Sequence, residues 1–141
     1  MSPQRARIVA SASAWLGTPY RHQASVRGAG CDCLGLIRGV WRETVGPEPG
    51  PLPPYTPHWA EGTGEPLLEA FDRWLKPQPD PLPGDVLVFR MVEGGPVKHA
   101  AILTPGDRLI HAYWARAVVE SRFAPWWRRR LAGAYAFPGA D

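Results

Sequence analysis

The chain has 141 residues, the size of one ordinary domain with a real core, so its stability needs no disulfide or metal. It is 45% hydrophobic, and no apolar run approaches the roughly 20 residues of a membrane span, which describes a globular protein and not a membrane one. Two cysteines separated by a single residue exclude a disulfide framework and fit a reducing cytosol. Met1–Arg5 lacks the long apolar core of a secretory signal, so synthesis in the cytoplasm without export through Sec is expected. A net charge of +3 suits an anionic partner such as a bacterial wall or nucleic acid without demanding one. The basic residues are nearly all Arg and Asn is absent, the bias of a GC-rich bacterial or phage genome, which warns against over-reading the arginines.

Ser2-Pro3 reads as an N-cap followed by proline at the first helical position. Ile8, Val9, Ala12, Trp15 and Leu16 then line one face of a first helix, which Gly17 ends. Residues 18–30 are predicted to be loop. From Cys33, apolar residues recur at Leu36, Ile37, Val40, Trp41 and Val45, the spacing of an amphipathic helix, with Asp32 as its N-cap. Residues 46–64 carry six prolines and four glycines and read as an extended surface loop, open to use as an interaction arm. Pro66 to Lys76 is predicted as a third helix with Leu67, Leu68, Phe71, Trp74 and Leu75 on its apolar face, stopped by Pro77.

The texture changes at Pro77. Pro77, Pro79, Pro81, Pro83 and Gly84 form a rigid turn, and strand-type runs follow at 86–92, 97–104, 108–114, 117–121 and 132–137. Helices first and strands later predict an α+β fold in a single domain spanning 1–141.

Cys33 falls in the first turn of its helix, where free N–H groups and the dipole favour a thiolate. Four histidines are candidates for a base. His22 and His58 sit in loops and read as solvated. His99 and His111 lie inside strands: alternation groups Val97, His99, Ala101 and Leu103 on one face, and Leu109, His111 and Tyr113 on the next. Pro105-Gly106-Asp107 between them is a turn signal. With a loop of three or five residues and no bulge, the two histidines are expected directly opposite each other; a one-residue slip would separate them. A helix-terminal cysteine with paired histidines supplies a nucleophile, a base and an orienting group. The same residues leave two other readings open: a metal site from Cys31, Cys33, His99 and His111, although the cysteine spacing is not that of a zinc knuckle, or core histidines beside an inert thiol.

The runs Leu16-Gly17-Thr18-Pro19-Tyr20-Arg21, Asp32-Cys33-Leu34-Gly35-Leu36-Ile37, His99-Ala100-Ala101-Ile102 and Ile110-His111-Ala112 resemble, in order, the motifs of the NlpC/P60 cysteine peptidases. These are papain-like enzymes that cut the stem peptides of bacterial peptidoglycan. The resemblance implies N-terminal helices packed on a C-terminal antiparallel sheet. It implies Cys33 as nucleophile, His99 as general base and His111 as third member, with Tyr20 and Asp32 lining the pocket for the substrate's peptide end. It implies a thiolate held by His99, an oxyanion stabilised by the Cys33 N–H and Tyr20, and no metal or organic cofactor. Two departures stand out. Leu34 replaces the serine that usually follows the nucleophile, and His22-Gln23-Ala24-Ser25-Val26 replaces a glycine-rich pocket segment.

Gly30 to Leu36 running into Arg38–Arg42 is similar to the members encoded in tail modules of phages and gene transfer agents. That similarity implies carriage on a phage-like tail particle, with tail or baseplate proteins and peptidoglycan stem peptides as partners, and neither nucleic acid nor membrane. The competing expectations are a free cytosolic lysis enzyme or a non-catalytic tail protein that docks through Trp126-Trp127-Arg128-Arg129-Arg130. For that stretch, tryptophans packed on the core and solvated arginines are the plainer expectation. The proline-rich loop with Tyr55 and Trp59 is the other expected contact site.

Overall fold

Ser2 caps the first helix by accepting the Arg5 N–H at 3.2 Å, and Pro3 occupies its first turn, where no intrahelical donor is lost. The computed structural model describes residues 1–50, 55, 64–113 and 116–141. Helix α1 (Pro3–Ala14) buries Ile8, Ala12 and, at its C-cap, Trp15. Leu16, expected on that face, is exposed instead, because the chain leaves the helix at Trp15.

Helix α2 (Cys33–Thr44) is the centre of the molecule, with Cys33, Leu34, Leu36, Ile37 and Val40 all buried. Its glycines are steric necessities. A Cβ on Gly35 would lie 1.8 Å from the Ala24 carbonyl oxygen, and one on Gly39 would lie 2.0 Å from the Trp15 ring. Ala24 presses on α2 because the expected 18–30 loop contains a small antiparallel hairpin, β1 (Ser25–Val26) with β2 (Gly30–Cys31). Tyr20 adds a parallel bridge to Cys31. Strands of two residues are too short for alternation to reveal.

Helix α3 (Pro66–Trp74) ends before the predicted Lys76, since Leu75 is already extended and Lys76–Pro77 form strand β3. The remaining strands are β4 (Val86–Arg90), β5 (Val97–Thr104), β6 (Arg108–Ala112), β7 (Val118–Arg122) and β8 (Leu131–Ala136). They form an antiparallel sheet in the order β3-β8-β4-β5-β6-β7. Between β7 and β8 lies a short helix, α4 (Pro125–Arg128), which the sequence did not reveal.

The helices cover one side of the sheet: Ala100, Ile102 and Ile110 join Ile8, Leu36, Val40 and Phe71 in one core. The other side carries a second cluster of Leu87, Phe89, Ala101, Leu103, Leu109, Phe123 and Trp127. A buried ion pair ties the ends together. Arg5 donates to Asp85 at 2.7 Å, to the Pro83 carbonyl at 3.2 Å and to the Ala140 carbonyl at 3.1 Å, while Asp85 also accepts the Leu82 N–H.

Candidate active site

Asp32 builds the start of α2. Its Oδ1 accepts the Gly35 N–H at 2.7 Å, while Oδ2 accepts the Gln23 N–H at 2.7 Å and the Tyr55 hydroxyl at 2.5 Å. The carboxylate is buried and accepts these three donors. Tyr55, on the loop expected as a contact site, reaches Asp32 with its hydroxyl, and its carbonyl meets His22 Nε2 at 2.8 Å and accepts from Gln23 Nε2 at 2.7 Å. His22 is thus engaged with Tyr55, although its ring is partly open to solvent. Trp59 and His58 lie outside the described residues.

Cys33 is buried at the first position of α2, where the nearby backbone N–H groups of Leu34 and Ala100 favour its thiolate. Ala100 follows His99 on β5, against which α2 packs. Burial, with the Asp32 charge beside it, pushes the thiol up to about 12, against the pull of those two N–H groups. Cys31, fully buried next door, is also pushed up to about 12 by burial and then by Asp32. Tyr20 is half-buried, and its phenol is raised by burial and then by the charges of Cys33 and Asp32, so it stands within their electrostatic reach.

His99 and His111 share the aromatic side of the sheet and are joined by a 2.8 Å hydrogen bond between His99 Nε2 and His111 Nδ1. They are not directly opposite. Thr104 pairs with Arg108 and Ile102 with Ile110, a register in which His99 falls across from Tyr113, two positions beyond His111. The contact is diagonal, which long side chains bridge readily. Gly106 and Asp107 turn the hairpin with φ of +80° and +55°, and this fixes that register. His111 Nε2 continues to Ser121 Oγ at 2.9 Å. Leu109 pairs with Ser121 and His111 with Val119, so this second link is diagonal too.

Burial pulls His99 well below its ordinary value, with His111 adding to the effect, and burial alone takes His111 down to about 4. Burial thus works against the charged forms of the thiol and of both imidazoles, while the N–H groups near Cys33 and the helix start favour a thiolate.

Trp127 stacks on His99 with ring centroids 5.3 Å apart and an interplanar angle of 30°, and meets His111 edge-on at 5.1 Å. The supposed docking stretch is thus partly a wall of the site. Arg128 lies over Phe123 and Arg130 over Trp126, at 4.1 and 3.6 Å from the ring centroids, leaving Trp126 39% exposed. Tyr55, Ser121 and Trp127 are the site residues that sequence reasoning missed. Only Ser121 had a signal, two positions past Val119 on a predicted strand. Among the described residues, no group of three metal-ligating side chains converges, so Cys31, Cys33, His99 and His111 are not brought together as a metal cradle.

A buried cysteine at a helix start and a strand histidine bonded to a second histidine are parts of the kind a papain-like cysteine site uses. Residues 17–136 match the NlpC/P60 family, and the chain belongs to that family. It is 28% identical over 131 residues to the gamma-DL-glutamyl hydrolase of Bacillus subtilis strain 168, covering 92% of this chain but only 29% of that protein. An NlpC/P60 family protein from Bacillus cereus superposes with a TM-score of 0.68 at 20% identity, over 97% of this chain and 41% of the other. The NlpC/p60 domain of the peptidoglycan hydrolase SagA gives a TM-score of 0.62 at 25% identity, over 94% of this chain and 98% of that domain. The chain thus spans under a third of the glutamyl hydrolase and nearly the whole of an isolated catalytic domain.

Proposed function

We propose that the chain is a peptidoglycan hydrolase that cleaves stem-peptide amide bonds with Cys33 as nucleophile, His99 as general base and His111 as the group that orients it. The observation that carries this reading is the 2.8 Å bond between His99 Nε2 and His111 Nδ1, on a strand, β5, that packs against the helix Cys33 begins. That bond leaves Nδ1 as the ring nitrogen available to the thiol. With a neutral resting pair, the thiol proton passes to His99 Nδ1 as sulfur attacks the carbonyl. The Cys33 N–H, with Tyr20 as a second donor, stabilises the oxyanion. The C–N bond then breaks, His99 returns the proton to the leaving amine, and water hydrolyses the thioester.

The name of the Bacillus subtilis relative makes peptides with glutamyl linkages the first substrates to try. Digestion of purified peptidoglycan with mass spectrometry of the fragments tests the proposal. Cys33→Ala should lower cleavage by at least about a thousandfold, as loss of a triad nucleophile does, whereas Cys31→Ala should keep most activity. Fragments released equally by Cys33→Ala would overturn the assignment. Carriage on a phage-like tail or gene transfer agent is supported by the likeness of Gly30–Arg42 to tail-encoded members; attachment to a particle raises effective concentration at the wall. Its presence in purified tails, against presence only in the soluble lysate, separates this from a free lysis enzyme.

A further inference from the structure

The two histidines end on a hydroxyl that the proposed chemistry does not use. His111 Nε2 lies 2.9 Å from Ser121 Oγ, and Ser121 sits half-buried on β7, the edge strand of the sheet. We infer that Ser121 is a positioning residue, which holds His111 with its proton on Nε2 and thereby keeps His99 Nδ1 free to act as the base. The inference rests on the Cys33–His99 reading above.

Two buried neutral imidazoles sharing one hydrogen bond have two possible senses. In one, His99 Nε2–H donates to His111 Nδ1, and His99 Nδ1 is bare. In the other, His111 Nδ1–H donates to His99 Nε2, the His99 proton sits on Nδ1, and no base faces the thiol. The hydrogen-bond length is the same in both, so the ends of the chain decide. At the inner end, the reading above passes the Cys33 proton to His99 Nδ1, which requires that nitrogen to be bare. At the outer end, the Ser121 hydroxyl can accept as well as donate, and its oxygen lies at hydrogen-bond distance from His111 Nε2. Donors then run one way: Cys33 S–H to His99 Nδ1, His99 Nε2–H to His111 Nδ1, His111 Nε2–H to Ser121 Oγ. When His99 takes the thiol proton, no bond along the chain has to reverse.

The test uses the intact chain with Ser121→Ala and Ser121→Thr, read two ways. Long-range 1H–15N spectra of the imidazoles near neutral pH, without substrate, should show His111 protonated on Nε2 in the wild type and in Ser121→Thr. In Ser121→Ala the proton should be shared between both nitrogens. On peptidoglycan fragments, kcat should fall about fivefold in Ser121→Ala with KM unchanged, the size of one lost hydrogen bond, and Ser121→Thr should restore it. An Nδ1–H His111 in the wild type, an unaltered tautomer in Ser121→Ala, or a kcat indifferent to a shifted tautomer would each overturn the inference. If the wild type cleaves no wall peptide, the hydrolase reading fails, yet the spectra still decide how Ser121 acts on His111.

Discussion

Two buried polar clusters sit in this molecule and are solved in opposite ways. Around Arg5, both charges are kept: the guanidinium and the Asp85 carboxylate pair at 2.7 Å, and carbonyls of Pro83 and Ala140 take up further donors. Around His99, burial works against charge: both imidazoles and the thiol are shifted toward their neutral forms, and the two joined rings are walled by Phe89, Tyr113 and Trp127. The first cluster clasps α1, the turn before β4 and the C-terminal tail, and has no proton to give. The second is built so that one proton can move. A paired charge fixes geometry, and a suppressed charge stores reactivity until substrate displaces the balance.

The comparison breaks most visibly at the ion pair. Asp85→Ala leaves a guanidinium, 3% exposed as a residue, without its counter-ion and frees the Leu82 N–H. Removing one partner of a buried pair costs about 3–5 kcal/mol, so urea denaturation should show a loss of that size. Residual folded Asp85→Ala protein should keep its site chemistry, because no residue of the clasp touches the histidines.

The neutral cluster should instead write itself into the pH dependence of stability. Unfolded, His111 takes a proton near its ordinary 6.5; folded, it does so only near 4. Between those values the unfolded chain binds more protons, so stability falls as pH drops from about 6.5 toward 4. The thiols act at the other end. Unfolded Cys31 and Cys33 ionise from about 9, and folded ones only near 12, so stability falls as pH rises through that window. Melting temperature against pH should form a plateau between the two limbs. His111→Gln should shrink the acid limb to the share that His99 contributes and leave the alkaline one; an acid limb unchanged in that variant would mean that His111 does not contribute to it.

How much of this was legible in the sequence depends on how far apart the deciding residues lie. Helix α2 and its Asp32 cap were readable because cap and periodicity are local, and β5 was bounded by its own alternation and the Pro105–Asp107 turn. The second diagonal step to Ser121, the four-residue α4 and the two-residue β1, β2 and β3 carry too little pattern to show. The role of Arg5 left no mark in the sequence, since its partners lie 80 and 135 positions away. The environment of Cys33 was hidden for the same reason: a helix terminus is visible in sequence, whereas the desolvation that opposes it comes from the whole fold.

The finest distinction between the clusters concerns what holds them. The charged one is held by hydrogen bonds, and the neutral one also by ring contact, so an apolar exchange should matter only at the second. Trp127→Phe keeps an aromatic face but shortens it, a conservative swap at a residue 9% exposed in the second core, costing under about 1.5 kcal/mol. Its effect should fall on rate: with the stacking partner reduced, the His99 ring gains rotational freedom, and kcat should drop about two- to threefold at constant KM, the scale of part of one aromatic contact. Thermal unfolding and steady-state kinetics on one preparation separate the two effects. A Trp127→Phe protein as unstable as Asp85→Ala, with undiminished kcat, would mean that Trp127 serves the fold alone. A small kinetic loss on a nearly unshifted melting curve would mean that the ring contact keeps His99 in line.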